Sequence, residues 1–133
     1  MVGPEAVRKY RNVGVTTVSK EKLLLMLYDG AIGFARSAGE RLATGDAVGF
    51  RERIGKCQAI VLEFLNTLDL RAGGEIAGNL QRIYLFLVDH LNEANLRLRG
   101  KNAEEAARIL AALREGFDEA IRSLERLDRA AER

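Results

Sequence analysis

A lone histidine is the first residue in this sequence that could support catalysis or hold a metal. His90 follows Asp89, an order that could form an acid–base pair. A di-iron centre in a helical protein needs inward glutamates and two Glu-x-x-His motifs. This chain has one histidine, and Leu87 stands where that glutamate would be. We therefore predict no metal and no cofactor, and interpret His90 as a surface residue.

A nucleophile and a phosphate-binding loop can be tested in the same way. Cys57 would need a neighbouring base to act as a nucleophile. It lies on an apolar stripe between Ile54 and Val61, which favours an inert, buried thiol. The Gly73-Gly74 pair lacks the preceding strand and the lysine of a P-loop. No active site is therefore visible in the sequence.

Nucleic-acid binding is also disfavoured by the charge pattern. Tyr84, Phe86 and Arg97 could stack on single-stranded bases. However, Asp89 and Glu93 lie among them, and the whole chain carries a net charge of only +2. A balance so close to neutral gives no electrostatic argument for a nucleic acid or for an anionic membrane. We expect neither as a partner.

The length and composition indicate one domain. A chain of 133 residues with 47% hydrophobic residues can build a single core. The densest apolar runs, Leu23–Tyr28 and Ile83–Val88, are far shorter than the roughly 20 residues of a membrane span. The charged start MVGPEAVRKYRN does not resemble a signal peptide, and the single cysteine gives no support for an oxidising compartment. We expect a cytoplasmic protein.

Four long segments show the three- and four-residue spacing of apolar side chains that is typical of helices. Ser19 is a suitable N-cap for the first helix, and Asn102 with Glu105 has the pattern of a capping box for the fourth. Acid–base pairs four residues apart lie on the fourth helix at Glu104–Arg108, Asp118–Arg122 and Glu125–Arg129. The predicted helices cover residues 20–43, 47–70, 75–98 and about 103–129, with a break at 71–74.

Long helices joined by short breaks predict an all-α fold, an antiparallel up-down bundle of four helices. Residues 19–133 would form this bundle domain. Residues 1–18 would form a short helical or extended N-terminal segment. Val7, Tyr10, Val13 and Val15 in that segment have no obvious core role, so it could cover an apolar groove, or it could be an ordinary frayed terminus.

The helices carry more apolar residues than one buried stripe requires. The simpler interpretation is that the middle helices are buried on two sides. The alternative is that part of the excess forms surface grooves for a segment of a partner protein. Gly30 and Gly33 in the first helix would permit close approach of such a segment, or of a neighbouring helix. The extra apolar residues are Leu23, Leu25, Met26, Tyr28, Ile32, Ile60, Leu62, Leu80, Tyr84 and Phe86.

The sequence resembles the flagellin-specific secretion chaperones of the FliS family. The resemblance runs from about Tyr10 to Ile121, with two departures: Lys20 stands where a proline is expected, and Phe117 where a tryptophan is common. Neither departure alters the expected function. The matching strings are TVSKEKL (17–23), MLYDGAIGF (26–34), LNTLDL (65–70), GGEIAGNL (73–80), Tyr84, LNEAN (91–95) and LRE (113–115) with Phe117.

The resemblance implies a chaperone with no enzymatic activity. Proteins of this family bind the disordered C-terminal region of new flagellin in the cytoplasm, prevent its early polymerisation and help deliver it to the flagellar type III export apparatus. We expect a monomer when free and a 1:1 complex with the client. The alternative is a self-associating helical adaptor without a flagellin client. The residues predicted to contact the client are Tyr10, Val13, Leu27, Tyr28, Ile32, Ile60, Phe64, Leu68, Leu80, Tyr84 and Leu87.

Overall fold

The computed structural model describes residues 19–132 and contains four helices in that range. No strand occurs among these residues, so the prediction of an all-α bundle is confirmed. The predicted N-terminal segment, residues 1–18, lies outside the described residues. The helices are α1 (Lys20–Ala43), α2 (Ala47–Thr67), α3 (Leu70–Arg97) and α4 (Gly100–Ala131).

Side-chain caps set the starts of the first three helices. Ser19 accepts a hydrogen bond from the backbone N–H of Lys22, as the sequence predicted. Asp46 caps α2 by accepting from the N–H of Gly49 at 2.8 Å. Asp69 caps α3 by accepting from the N–H groups of Arg71 and Ala72. Each cap satisfies backbone donors that a helix start would otherwise leave unpaired.

The predicted break at residues 71–74 is confirmed only at Gly74, where the backbone leaves the helical conformation, because the residues before it already form a first turn of α3. Helix α2 ends at Thr67 rather than Leu70, and α3 has already begun at Leu70 because Asp69 caps it there. The Gly73-Gly74 pair forms a kink inside α3 instead of a loop. Gly74 has φ 54° and ψ −129°, a conformation that a residue with a Cβ rarely adopts. The glycine thus lets the first turn of α3 take its own direction.

The turn between α3 and α4 also differs from the prediction. Helix α4 begins at Gly100, and its N-cap Arg99 makes no side-chain capping bond. Asn102, the predicted N-cap, is buried inside the helix and donates to the backbone carbonyl of His90 at 3.1 Å. Its amide therefore ties α4 to α3 rather than capping α4. Leu98 makes the turn in the left-handed conformation, with φ 52°.

The helices pack as antiparallel neighbours in a ring. Helix α1 packs against α2 and α4, and α3 completes the ring against the same two helices. Gln58 donates to the carbonyl of Val88, and Arg51 donates to that of Asn95. Residue numbers on α2 therefore decrease as those on α3 increase, which is the register of an antiparallel pair. The fully buried side chains with the largest volumes are Tyr28, Phe50, Ile54, Ile60, Leu87, Leu91 and Leu110.

Salt bridges lie mainly at the bundle surface. Asp118 and Arg122 form the pair that their spacing predicted, with 3.3 Å between Oδ2 and Nη2. Arg114 joins α4 to α1 through Asp29, with 2.9 Å between Nε and Oδ1. In the described part of the chain, the predicted Glu104–Arg108 and Glu125–Arg129 pairs do not form.

Candidate functional site

Four aromatic side chains, one from each helix, form a cluster in the core. The ring of Tyr28 stacks on Phe64, with 4.4 Å between centroids. Phe117 approaches the same tyrosine at 5.6 Å, and Tyr84 lies 5.7 Å from Phe64. Aromatic pairs at these separations stabilise a packed core beyond the area that they bury. The cluster therefore joins all four helices at one level of the bundle.

The two tyrosine hydroxyls of this cluster bond to each other. Their oxygens are 2.5 Å apart, and the side chains are 0% and 3% exposed for Tyr28 and Tyr84. Burial is the main cause that raises the pKa of both tyrosines above the ordinary value. The phenols therefore stay neutral and serve as a polar link between α1 and α3.

The two ends of the bundle are packed differently. We call the end where α1 and α3 begin and α2 and α4 finish the open end, and the other the closed end. The aromatic cluster marks the border of the open end, and beyond it the apolar side chains other than Ala77 are partly or fully exposed. At the closed end the core-facing apolar side chains are buried, whereas Val48 and Leu96 on its outer surface are exposed. The buried ones are Ala38, Phe50, Leu91, Ala94, Ala103 and Ala106.

The length of α4 explains part of the exposed surface. Asp29 and Arg114 fix the register between α1 and α4. Nine residues of α1 precede Asp29, whereas seventeen residues of α4 follow Arg114. At 1.5 Å per residue, α4 extends roughly 12 Å beyond the start of α1. Leu124 and Leu127 lie on this extension and are 58% and 66% exposed.

The open end also includes apolar side chains of α3. Leu70 and Ile76, on either side of the Gly74 kink, are exposed, and Ile76 is 71% exposed. Leu80 follows one turn later and is half-buried against the core. The open-end surface is therefore made of Leu70, Ile76 and Leu80 from α3 together with Leu124 and Leu127 from α4.

Comparison of the sequence with known proteins identifies its family. The family model described as "FliS: Flagellar protein FliS" matches residues 3–124. The chain belongs to the FliS family. It is 32% identical over 122 residues to the flagellar secretion chaperone FliS of Salmonella typhimurium, an alignment that covers 88% of this chain and 90% of that protein.

Two further relatives cover almost the whole chain. The flagellar secretion chaperone FliSB of Pseudomonas aeruginosa is 29% identical over 129 residues, with 89% of this chain and 97% of that protein aligned. FliS of Bacillus subtilis is 28% identical over 120 residues, with 90% and 88% aligned. FliS is a family of secretion chaperones, which confirms the prediction that this FliS-family chain is not an enzyme.

The structure places nine of the eleven predicted contact residues, at two depths. Leu27, Leu68 and Leu80 are partly exposed and pack against the edge of the core. Six others are buried in the core of the described chain: Tyr28, Ile32, Ile60, Phe64, Tyr84 and Leu87. Tyr10 and Val13 lie outside the described residues. The predicted set therefore includes both core side chains and part of the open-end rim.

Ile76, Leu124 and Leu127 continue the helical spacing of apolar residues in α3 and α4, yet they are exposed at the open end. Their spacing is that of buried apolar residues, but the apolar stripe continues beyond the end of the neighbouring helix that would cover it. The signal available in the sequence was the length of the α4 pattern compared with that of α1. A stripe that outruns its partner helix leaves apolar side chains uncovered.

The polar groups singled out from the sequence, His90 and Cys57, have structural surroundings in the described part of the chain. His90 is part-buried rather than the surface residue that was predicted. Its Nε2 lies 2.7 Å from Glu105 Oε2 and its ring stacks on Phe86, so it links α3 to α4. Burial raises the pKa of the Cys57 thiol to about 12, which keeps it unreactive.

Between residues 19 and 132, no three His, Cys, Asp or Glu side chains form a metal-binding group. Within the same range, no helix is both long and apolar enough to cross a membrane.

Proposed function

We propose that this chain is the cytoplasmic export chaperone of flagellin. It binds the disordered C-terminal region of newly made flagellin, prevents premature polymerisation, and delivers the client to the flagellar type III secretion apparatus. The observation that carries the proposal is the apolar open-end surface that residues 19–132 leave exposed, on a chain of the FliS family. Its relatives are named as flagellar secretion chaperones.

The open-end surface has the chemistry that such a client needs. Segments that bury apolar area in a filament will associate early if they stay exposed, so a chaperone must offer them a substitute apolar surface. Burial contributes about 25 cal/mol for each Å² of apolar area. Part of this gain is lost in ordering the client, which keeps the complex releasable. A single small chaperone can in this way hold a long segment without trapping it.

The predicted contact residues divide accordingly. We propose that Leu27, Leu68 and Leu80 touch the client directly, because they line the rim of the open end. The six buried residues form part of the aromatic cluster or of the core beside it. They contact the client only if the side chains at the rim of the open end separate. Tyr10 and Val13 stay proposed contacts of the N-terminal segment.

The test is a calorimetric titration with a peptide from the C-terminal region of flagellin. The open-end variant is Leu124→Ala/Leu127→Ala, and its matched control is Leu96→Ala/Val48→Ala. Leu96 and Val48 are 80% and 78% exposed and lie at the closed end. Both variants therefore remove exposed apolar side chains from helix surfaces, and they differ in which end of the bundle they change.

We expect saturable 1:1 binding with a negative heat-capacity change. Losing about 1 kcal/mol at each leucine should weaken binding roughly thirtyfold in the open-end variant. The closed-end control should bind as the unchanged protein does. Absence of binding would contradict the flagellin proposal. A tight oligomer that covers Leu124 and Leu127 and binds no peptide would instead favour the self-associating adaptor.

A further inference from the structure

A second groove lies at the closed end, between the C-terminal half of α1 and the N-terminal half of α4. Its volume is about 640 Å³. The floor consists of small residues, including Ala35, Gly39 and Ala107. Along α1 it reaches from Ala35 to Ala43, roughly 12 Å or just over two helical turns. This α1–α4 groove is separate from the open-end surface.

Four charged side chains line the α1–α4 groove, two on each helix. Along each helix an arginine and a glutamate stand four residues apart, which is the spacing of an ordinary ion pair, so only their arrangement across the groove is unusual. The register fixed by Asp29 with Arg114 places Arg36 of α1 level with Arg108 of α4. One turn further along, Glu40 of α1 is level with Glu104 of α4. The groove therefore has an arginine pair at one level and a glutamate pair at the next.

None of these four side chains forms a salt bridge within residues 19–132. All four are exposed. Because like charges are level across the groove, α1 and α4 gain no ion pair with each other there among the described residues. They are complementary to a ligand that carries one acidic and one basic group about one helical turn apart.

The floor determines the conformation of that ligand. The N–H and C=O groups beneath Ala35, Gly39 and Ala107 lie within helices and are satisfied there. An extended segment would find no backbone partners on this floor. A helix satisfies its own backbone, and small side chains on both surfaces allow the helix axes to approach closely.

We propose that the α1–α4 groove is a docking site for a helix of a partner protein. This helix presents an alanine- or glycine-rich face with an acidic and a basic side chain four residues apart. Its acidic group meets Arg36 and Arg108, and its basic group meets Glu40 and Glu104. The chain thereby has a second protein-binding surface at the end opposite to the one proposed for flagellin.

Gly39 provides a way to close the groove without disturbing the bundle. A Cβ at Gly39 would meet no atom within 4 Å, and the same holds at Gly33 on the same helix. Gly33 is exposed and does not line the groove. Gly39→Leu should therefore fill the groove, and Gly33→Leu is the matched control. Both replace a helical glycine by a better helix former, so both should fold.

The probes are three fluorescein-labelled helical peptides of about 14 residues, each with an alanine face. They carry Glu–Lys, Lys–Lys or Glu–Glu at positions four apart, and their binding to the full chain is followed by anisotropy. We expect the Glu–Lys peptide to bind best. Gly39→Leu should weaken this binding by about tenfold or more, and Gly33→Leu should leave it unchanged. In the Arg36→Glu/Arg108→Glu variant, the Lys–Lys peptide should become the preferred ligand.

Three results would overturn the proposal. The first is no saturation by the Glu–Lys peptide, or equal binding of all three peptides. The second is a concentration-dependent dimer that Gly39→Leu abolishes, which would assign the groove to a second copy of the chain. The third is that Gly39→Leu weakens binding of the flagellin peptide as much as binding of the Glu–Lys peptide. That result would make the groove part of the flagellin site. Flagellin binding that Gly39→Leu leaves intact supports two independent surfaces.

Discussion

The buried hydroxyl pair of Tyr28 and Tyr84 predicts how the stability of the chain changes when one hydroxyl or both are removed. Each hydroxyl has the other as its partner at 2.5 Å, and both side chains are nearly inaccessible to water. A substitution to phenylalanine removes one hydroxyl and leaves the other without a partner. The double substitution removes both and retains the two rings.

The expected magnitudes follow from the burial of the hydroxyl that remains. A buried polar group without a partner costs about 1–3 kcal/mol, whereas replacing both partners by apolar groups of the same shape is nearly neutral. Tyr84→Phe should be the more harmful single change, because the hydroxyl it leaves unpaired belongs to Tyr28, which is 0% exposed. Tyr28→Phe should cost somewhat less. The double variant should be more stable than either single variant.

The assay is urea unfolding of the four proteins, followed by circular dichroism, with the free energy of unfolding extrapolated to water. The four values form a double-mutant cycle, and the interaction energy between the two substitutions should be about 1 kcal/mol or more. Additive losses, with the double variant as unstable as both changes summed, would refute the reasoning. That result would mean that each hydroxyl reaches water or another partner when its neighbour is removed.

Three further predictions concern the pH dependence of stability and the conformation of two glycines. Burial raises the folded-state pKa of Cys57 from 9.0 to about 12 and raises the pKa of Tyr28 and Tyr84. The unfolded chain therefore loses these protons first, and stability should fall from about pH 9 upward and more steeply above pH 10. Urea unfolding across this range checks the slope, which Tyr28→Phe/Tyr84→Phe should reduce above pH 10. Gly33→Ala should stabilise the chain by up to about 1 kcal/mol because its Cβ enters open space, and a loss there would contradict this. Gly74→Ala should cost about 1–3 kcal/mol because φ is positive, and thermal unfolding that shows no loss would contradict that reasoning.

Much of the fold follows from the sequence because each helix carries its own signal. The three- and four-residue spacing locates all four helices, and Ser19 caps α1 as its position before the apolar run predicted. The errors occur where a local signal has two meanings. Gly73-Gly74 is a common loop pattern, yet the Asp69 cap starts the helix before it and Gly74 absorbs the bend. Asn102 resembles a cap, but its amide bonds to the distant His90 carbonyl.

The candidate site could be predicted only in part, since burial depends on the register between helices. Ile60 and Leu124 both occupy apolar stripes at helical spacing, but one is 0% exposed and the other 58%. The difference arises because α4 continues beyond the start of α1, a relation that no single stripe contains. Gly30 and Gly33 illustrate the same point. A Cβ at Gly30 would make ordinary contact with Ile60 at 3.6 Å, and one at Gly33 would meet nothing, so neighbouring helices do not require either glycine.

The short connections of the bundle have a consequence for how quickly the chain folds. Three, two and two residues join the successive helices, so most helix contacts form between neighbours in sequence, and the packing of α1 on α4 is the long-range closure. Helical proteins with such local contacts fold in microseconds to milliseconds. A ribosome adds only about 5–20 residues each second. The chain should therefore complete its fold between two steps of translation, without needing help from a partner.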